Sequence, residues 1–168
     1  LARKLRQQGV GVAAYKPACS GAVNPEAEDG NGEIATNPPL SSRLWNAPRP
    51  PHSRFWSDIE AHYAATGGRF DRERICPQRF LAPVSPPAAA ALEGREVNED
   101  LLITGYQWLA ERADVVLVEG AGGFYSPISS NWLNADLAER MGLPVLIVAP
   151  NQLGTIDVIR RGTCPQPR

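Results

Sequence analysis

The sequence lacks the cysteine patterns that hold metal ions or build disulfide frameworks. Its three cysteines, Cys19, Cys76 and Cys164, are odd in number and far apart, and none belongs to a Cys-x-x-Cys pair. Neither a zinc site nor a redox motif is indicated, and free thiols in a reducing cytosol are predicted. The two histidines, His52 and His62, have no cysteine neighbours, which argues against a histidine metal site.

Long apolar runs and an excess of one charge are also missing. No stretch approaches the roughly 20 apolar residues of a membrane helix, and the polar, basic segment 1–8 does not have the pattern of a signal peptide. With 17 basic and 18 acidic residues the net charge is −1, so we expect neither a nucleic-acid interface nor a membrane-binding face. A length of 168 residues suits one domain with a core of its own.

The chain alternates between apolar runs and helical patterns. Buried strands are predicted at 10–15, 115–118 and 144–149. Helices are predicted before Gly9, from a capping box at Ser57 to about Thr66, before Gly94, after the cap Asn98, and from the cap Asn134 to Gly142. This alternation predicts an α/β fold with a mostly parallel sheet flanked by helices. The segment 23–56, rich in Pro, Asn, Gly and Ser, is predicted to be a long loop.

Parallel α/β sheets bind ligands at the carboxyl ends of their strands, which draws attention to Glu119. This acid directly follows the apolar run 115–118 and precedes the glycine-rich segment 120–123. A charge in that position is costly unless it faces a cleft or a partner. The pattern is typical of the strand-end acid that holds Mg²⁺ in phosphate-transferring enzymes, with glycine N–H groups close to an anion. The alternative is an acid that caps the next turn, with glycines that serve only a tight bend.

Three further positions carry weaker signals. Lys16 ends the first strand at the same edge of the sheet, where it could hold a carboxylate, carbamate or phosphate, or simply be solvated. Asp58 stands in the first turn of a predicted helix, where an acid favours the helix dipole whether or not it binds a metal. The segment 153–155 opens a helix at this edge, and its free N–H groups could bind a carboxylate or form an ordinary turn.

Taken together, these segments resemble the dethiobiotin synthetase family. The matching stretches are YKPACSG from Tyr15 to Gly21, Ser57-Asp58, 82–86, VEGAGG from Val118 to Gly123 with Pro127, and LPVLIVAPNQLGTI at 143–156. They follow the family's order over 1–157, interrupted by the loop at 23–56. The coincidence of the lysine-bearing and acid-bearing motifs is fairly specific, whereas either motif alone is weak.

The resemblance implies a P-loop NTPase-like fold and an ATP- and Mg²⁺-dependent ligase of biotin biosynthesis. Members are cytoplasmic homodimers that use ATP and carbon dioxide to close a ureido ring on 7,8-diaminononanoate. By this resemblance Lys16 is catalytic and holds the carbamate and the transferring phosphoryl group, while Asp58 and Glu119 bind Mg²⁺. Gly122 and Gly123 line the phosphate and substrate site. Substrate contacts are implied for Ser20 and, across the dimer interface, for Leu153, Gly154 and Thr155.

The sequence also departs from the family pattern. It contains no G-x-x-x-x-G-K-[ST] phosphate-binding loop, and Asp157 stands where the family usually has Asn. We therefore expect a single incomplete domain, 1–168, that lacks the first strand and the phosphate loop and ends in an aberrant tail at 158–168. Two alternatives stay open: a related cobyrinate-type amide ligase domain, and a non-catalytic remnant that only dimerises or binds a partner.

Overall fold

A computed structural model describes residues 1–22 and 55–149. The elements in chain order are α1 (Ala2–Gln7), β1 (Val12–Tyr15), β2 (Ala18–Cys19), α2 (Ser57–Thr66), α3 (Arg72–Ile75), β3 (Gln78–Arg79), α4 (Pro86–Leu92), α5 (Glu99–Ala110), β4 (Val115–Val118) and α6 (Asn134–Met141). Nearly all of the predicted loop 23–56 and the whole of the predicted tail 158–168 lie outside the described residues.

The strands that carry the charged residues pair in parallel. Strand β1 pairs with β4, and Tyr15 lies opposite Val118. Because the strands run in the same direction, the residues that follow them, Lys16 and Glu119, emerge at the same edge. Strands β2 and β3 form a second parallel pair, with Ala18 opposite Gln78. Parallel strands flanked by helices confirm the predicted α/β class.

The first strand is buried completely, whereas the second is not. All four residues of β1 are buried, because α1, α2, α3 and α5 pack against it. The prediction that the strand at 115–118 is buried is wrong, since every residue of β4 is half-buried. Among the described elements β4 has its main contacts with β1 and α5, so one face is covered less well.

A buried tyrosine ties β1 to α5. The Tyr15 hydroxyl donates hydrogen bonds of 3.0 Å to the carbonyl oxygens of Leu101 and Leu102, and the side chain has no exposed surface. Gly105 lies beside this ring, and a Cβ atom built there would lie 2.9 Å from the Tyr15 Cζ atom. The absence of a side chain at Gly105 is therefore what lets the helix approach the strand so closely.

The predicted strand at 144–149 is wrong. Residues 143–149 have no regular secondary structure, and this stretch exposes several large apolar side chains, with Val148 89% exposed. A strand requires a neighbour that accepts and donates its backbone hydrogen bonds. Within the described residues β4 pairs only with β1, and no strand pairs with 143–149. The local apolar character of 144–149 predicts a buried strand, but the described residues contain no neighbouring strand with which this segment could pair.

Two of the three predicted caps are displaced by one residue. Asn98 caps α5 as predicted, and its Oδ1 atom accepts a hydrogen bond of 2.9 Å from the Leu101 N–H. Helix α2 begins at Ser57 as predicted, but its cap is Trp56, so the predicted capping box is wrong. The Trp56 indole N–H donates to the Phe80 carbonyl at 3.0 Å, and this tertiary contact holds the start of the helix.

The other displaced cap is at α6. Leu133 occupies the capping position, and Asn134, which was predicted to cap the helix, is its first residue. The Asn134 side chain is used elsewhere, in the loop after β4. The end of α6 is as predicted, since the helix stops at Met141 before Gly142.

Three apolar clusters form the core around these elements. The largest joins β2, α4, α5 and α6 through Phe80, Leu102 and Ile128. A second, under α2, contains Ile59 and Ile75 together with both described cysteines, Cys19 and Cys76. The third packs Tyr15 of β1 against Leu109 of α5. No helix in the described ranges is both long enough and apolar enough to cross a membrane.

Candidate active site

Lys16 lies at the centre of a polar cluster at the carboxyl edge of β1 and β4. Its Nζ atom donates to Glu119 Oε1 at 2.7 Å and to the Gly120 carbonyl at 3.2 Å, and it lies 2.8 Å from Asp58 Oδ2. The lysine residue is only 5% exposed. An ammonium group has three donors, and these three acceptors use all of them. Lys16 is therefore not the freely solvated strand-end lysine of the alternative interpretation.

Three different elements bring this cluster together. Lys16 follows β1, Glu119 follows β4, and their strands are in register. The Glu119 N–H donates to the Tyr15 carbonyl at 2.9 Å, so the ladder extends to the first residue of the site. Asp58 comes from the first turn of α2, which packs against β1. The structure thus brings together the three charged residues that the sequence singled out at separate positions.

Glu119 is also in contact with His62. The His62 Nε2 atom lies 2.9 Å from Glu119 Oε2, whereas Lys16 contacts the other oxygen, Oε1. The distance suits a hydrogen bond, but the direction does not, so no hydrogen bond is formed at Nε2 among the described residues. The two atoms therefore lie in close polar contact at 2.9 Å without forming a hydrogen bond.

These contacts shift the ionisation of both strand-end residues. The contact with His62 is the largest cause that lowers the pKa of Glu119 to about 2, and Lys16 acts in the same direction against the effect of burial. Burial by itself would lower the pKa of Lys16, but its bonds to Asp58 and Glu119 outweigh burial and raise that pKa. Both residues are therefore charged at neutral pH.

Because Glu119 is ionised in the folded state with a lowered pKa, the free energy of unfolding is expected to decrease at acid pH. Its folded-state pKa of about 2 lies below its ordinary value of 4.5, so its contribution is complete above pH 4.5 and is lost as the pH falls toward 2. Because the Glu119 side chain is 52% exposed, we discount the shift to roughly 1 kcal/mol. Urea unfolding between pH 6 and about pH 2 measures this loss.

The variant Glu119→Gln should lose this part of the acid dependence. Its free energy of unfolding should fall less steeply below pH 4.5 than that of the wild type. Glu111→Gln removes an exposed carboxylate at the end of α5 and serves as the matched control, which should keep the Glu119 contribution. Equal slopes for the wild type and Glu119→Gln would contradict the assignment.

The glycine-rich loop after Glu119 is held by Asn134. The Asn134 amide nitrogen donates to the carbonyl oxygens of Ala121, Gly123 and Ser126 at 2.9, 2.9 and 3.1 Å, and its oxygen accepts from the Ala121 N–H at 3.2 Å. Gly122 has a φ of +79°, a conformation that favours glycine. Asn134 therefore fixes a loop whose backbone requires glycine, beside the Lys16 cluster.

The other predicted site residues are placed differently. Gly122 and Gly123 are exposed, and the Gly123 N–H donates to the Ser126 hydroxyl at 2.9 Å. The Ser20 hydroxyl, which follows β2, donates to the Val84 carbonyl in the loop after β3 at 2.5 Å and is not part of the Lys16 cluster. Leu153, Gly154, Thr155 and Asp157 lie outside the described residues.

Two residues of the site were not predicted from the sequence. His62 comes four residues after Asp58, a spacing that places both on one face of a helix, and this signal could have identified it. Asn134 was interpreted as a cap, and nothing local to it indicates bonds to residues 8 to 13 positions earlier. Such bonds depend on how α6 packs against the loop.

The carboxylates suit Mg²⁺ in their chemistry. Mg²⁺ prefers oxygen ligands, and it commonly uses one or two carboxylates while water and substrate phosphates complete its shell. Asp58 and Glu119 both contact Lys16 Nζ, so they lie close to each other, and both side chains are about half exposed. The described residues contain no group of three or more His, Cys, Asp or Glu placed to enclose a metal. Two carboxylates therefore fit a cation that shares its shell with ligands from solvent.

Comparison with protein families identifies the domain. A family model described as an AAA domain matches residues 56–160, which is more than half of the chain. This chain belongs to the AAA domain family. Membership agrees with the P-loop NTPase-type α/β fold that the sequence predicts.

The chain is also similar to curated ATP-dependent dethiobiotin synthetases. The ATP-dependent dethiobiotin synthetase BioD of Rhodopirellula baltica is 36% identical over 163 residues, which cover 91% of this chain and 54% of that protein. The same enzyme of Caulobacter vibrioides is 36% identical over 152 residues, with 89% and 57% covered. That of Anaeromyxobacter dehalogenans (strain 2CP-C) is 46% identical over 101 residues, with 60% and 45% covered.

These identities make this AAA domain homologous to ATP-dependent dethiobiotin synthetases, as the motifs around Lys16 and Glu119 predicted. The chain spans about half the length of the curated relatives that it matches.

Proposed function

We propose that this chain carries the carbamate- and cation-binding part of a dethiobiotin synthetase site. The reaction is the ATP- and Mg²⁺-dependent carboxylation and ring closure of 7,8-diaminononanoate, performed by a homodimer in the cytoplasm. The observation that carries the proposal is the buried Lys16 ammonium, held between the Asp58 and Glu119 carboxylates at the carboxyl edge of parallel strands. The homology to dethiobiotin synthetases supports it.

This reaction requires the protein to position the reactants and to stabilise anionic charge, and it requires no protein nucleophile. One amine of the substrate attacks carbon dioxide and loses a proton, which gives a carbamate. The carbamate oxygen attacks the γ-phosphorus of ATP and releases ADP. The second amine then attacks the carbonyl carbon, closes the ureido ring and expels phosphate. Anionic charge on carbamate and phosphate is stabilised by a lysine and by bound Mg²⁺.

The contacts of Lys16 specify how the site would take up its ligands. All three ammonium donors are used by Asp58, Glu119 and the Gly120 carbonyl, so an anion can bind only if it replaces one of them. A divalent cation on Asp58 and Glu119 would compete with Lys16 for the same carboxylates and release its ammonium group. We therefore propose that the cation and the carbamate bind cooperatively, each favouring the other.

The first step can be tested without ATP. The 168-residue chain is mixed with ¹³C-bicarbonate, 7,8-diaminononanoate and MgCl₂, and protein-bound carbamate is detected by ¹³C NMR. The proposal expects a bound carbamate whose signal grows when MgCl₂ is added. No bound carbamate at saturating diamine would overturn the proposal.

Addition of ATP tests the second half of the reaction. Dethiobiotin and inorganic phosphate in equal amounts would show that the chain also performs phosphoryl transfer, although it contains no G-x-x-x-x-G-K-[ST] loop. Carbamate binding without ring closure would limit the chain to the carbamate- and cation-binding part and would favour the non-catalytic alternative for the later steps. Rescue of a biotin auxotroph by expression of the chain separates the proposal from the cobyrinate-type amide ligase, which would not restore growth.

A further inference from the structure

His62 holds a position in the site that neither its sequence context nor the homology assigns. It lies on α2 one turn after Asp58, so both side chains project from the same face of the helix. The His62 side chain is mostly buried, with 18% of its surface exposed, and its Nε2 atom lies 2.9 Å from Glu119 Oε2. Helix α2 thus contributes two side chains to this edge of the sheet, of which only Asp58 was predicted.

The environment of the imidazole favours a polar role over simple packing. The Nε2 atom is fully enclosed and forms no hydrogen bond within the described part of the chain. An enclosed polar nitrogen is costly unless a favourable partner lies nearby. Glu119 Oε2 is such a partner, and an apolar residue of similar size would fill the same space without that cost.

Glu119 is held at both of its oxygens. Lys16 Nζ contacts Oε1 at 2.7 Å, and His62 Nε2 contacts Oε2 at 2.9 Å. Two contacts on opposite oxygens limit rotation of the carboxylate about its own axis, whereas one contact would leave it free to turn. Polar side chains next to metal-ligating carboxylates, which usually hydrogen-bond to them, orient these ligands and are important for metal affinity.

We propose that His62 is a positioning residue that orients the Glu119 carboxylate for the divalent cation. The proposal rests on the proposed function, because it takes Glu119 as a ligand of that cation. It assigns α2 a double role, since Asp58 supplies one carboxylate and His62 aligns the other. His62 acts through Glu119 and does not itself contact the reacting atoms.

The test compares two amides of different reach. In His62→Gln the side-chain nitrogen can take the place of Nε2, whereas in His62→Asn the same amide is one methylene shorter. Mn²⁺ serves as the probe, and its affinity is measured by EPR at one fixed pH without diamine or ATP. We expect His62→Asn to weaken Mn²⁺ binding by about 10-fold or more, and His62→Gln to stay within about threefold of the wild type.

His62→Leu, which keeps the volume and removes the polar atom, should weaken binding as His62→Asn does. Thermal unfolding of every variant shows whether the fold is retained. If His62→Asn is unfolded, the Mn²⁺ affinities of His62→Leu and His62→Gln are compared instead, and this comparison tests the proposal. Wild-type Mn²⁺ affinity in a folded His62→Asn or His62→Leu would overturn the proposal. Equal losses of Mn²⁺ affinity in His62→Gln and His62→Asn would also overturn it.

Glu119→Gln separates this inference from the proposed function. If Glu119→Gln binds Mn²⁺ as tightly as the wild type, the cation site itself is wrong and the proposed function loses its support. If Glu119→Gln weakens Mn²⁺ binding but the His62 variants do not, only the positioning role of His62 fails.

Discussion

Replacing Lys16 with methionine is expected to lower the affinity for the substrate carbamate by about 100-fold. Methionine keeps much of the length of the side chain but removes the ammonium group that lies between Asp58 and Glu119. A carbamate bound there would then face two carboxylates with no positive charge between them. Loss of a charged partner in a buried polar contact typically costs 2 kcal/mol or more, roughly a 30-fold change or greater. Titration of ¹³C-carbamate with diamine and bicarbonate measures the change.

The sequence offers a matched control for this variant. It contains two lysines, Lys4 and Lys16, and Lys4 is exposed on α1. Lys4→Met makes the same chemical change away from the site and should leave carbamate affinity unchanged. Lys16→Arg retains the charge but replaces a compact ammonium with a planar group, so we expect it to restore little of the affinity. Wild-type affinity in Lys16→Met would show that the carbamate binds elsewhere.

Gly105→Ala is expected to destabilise the fold by about 2 kcal/mol. A Cβ atom at Gly105 would overlap the Tyr15 hydroxyl and lie 2.9 Å from Tyr15 Cζ, and this ring is fully buried between β1 and α5. Overpacking of this kind costs about 1 to 3 kcal/mol or more, whereas alanine gains about 1 kcal/mol over glycine in a helix. The overlap outweighs the gain. Urea unfolding measures the difference in the free energy of unfolding.

A double-mutant cycle identifies the cause of this loss. Tyr15→Phe removes the hydroxyl that a Cβ atom would meet, so Gly105→Ala should cost at least 1 kcal/mol less in that background. Thr104→Ala places alanine at the neighbouring, exposed position of α5 and should change stability by less than about 0.5 kcal/mol. Additive effects of Tyr15→Phe and Gly105→Ala would contradict a direct overlap.

The predictable parts of the fold are those decided by neighbouring residues. The strand at 115–118 and the helix from Ser57 to Thr66 have the predicted bounds, because each is specified by a local run of residues. The cap at Asn98 was predictable for the same reason, since its side chain bonds to the Leu101 N–H only three residues away. The cap at Trp56 was not, because its indole bonds to the carbonyl of Phe80.

The same division holds for the site. The positions of Lys16 and Glu119 were recognisable, because a charged residue directly after a predicted strand is visible in the local sequence. Asp58 was identified only by the family resemblance, because an acid in the first turn of a helix needs no further role. His62 and Asn134 were missed as site residues because their partners lie far away in the sequence, at Glu119 and in the loop that follows it. Helical spacing places His62 on the same face as Asp58, but it contains no information about the contact of His62 with Glu119 or about the bonds of Asn134 to the loop.

The sequence by itself determined the α/β class, the two strands that carry the charged residues, and the kinship with dethiobiotin synthetases. Each depends on short runs of residues whose propensity and chemistry are local. Only the tertiary structure decided that Lys16 is saturated by Asp58, Glu119 and Gly120, and that His62 contacts the second oxygen of Glu119. It also decided that the apolar run 144–149 forms no strand. These outcomes depend on which elements pack together, because a polar atom or a strand is satisfied only by the partner that the fold supplies.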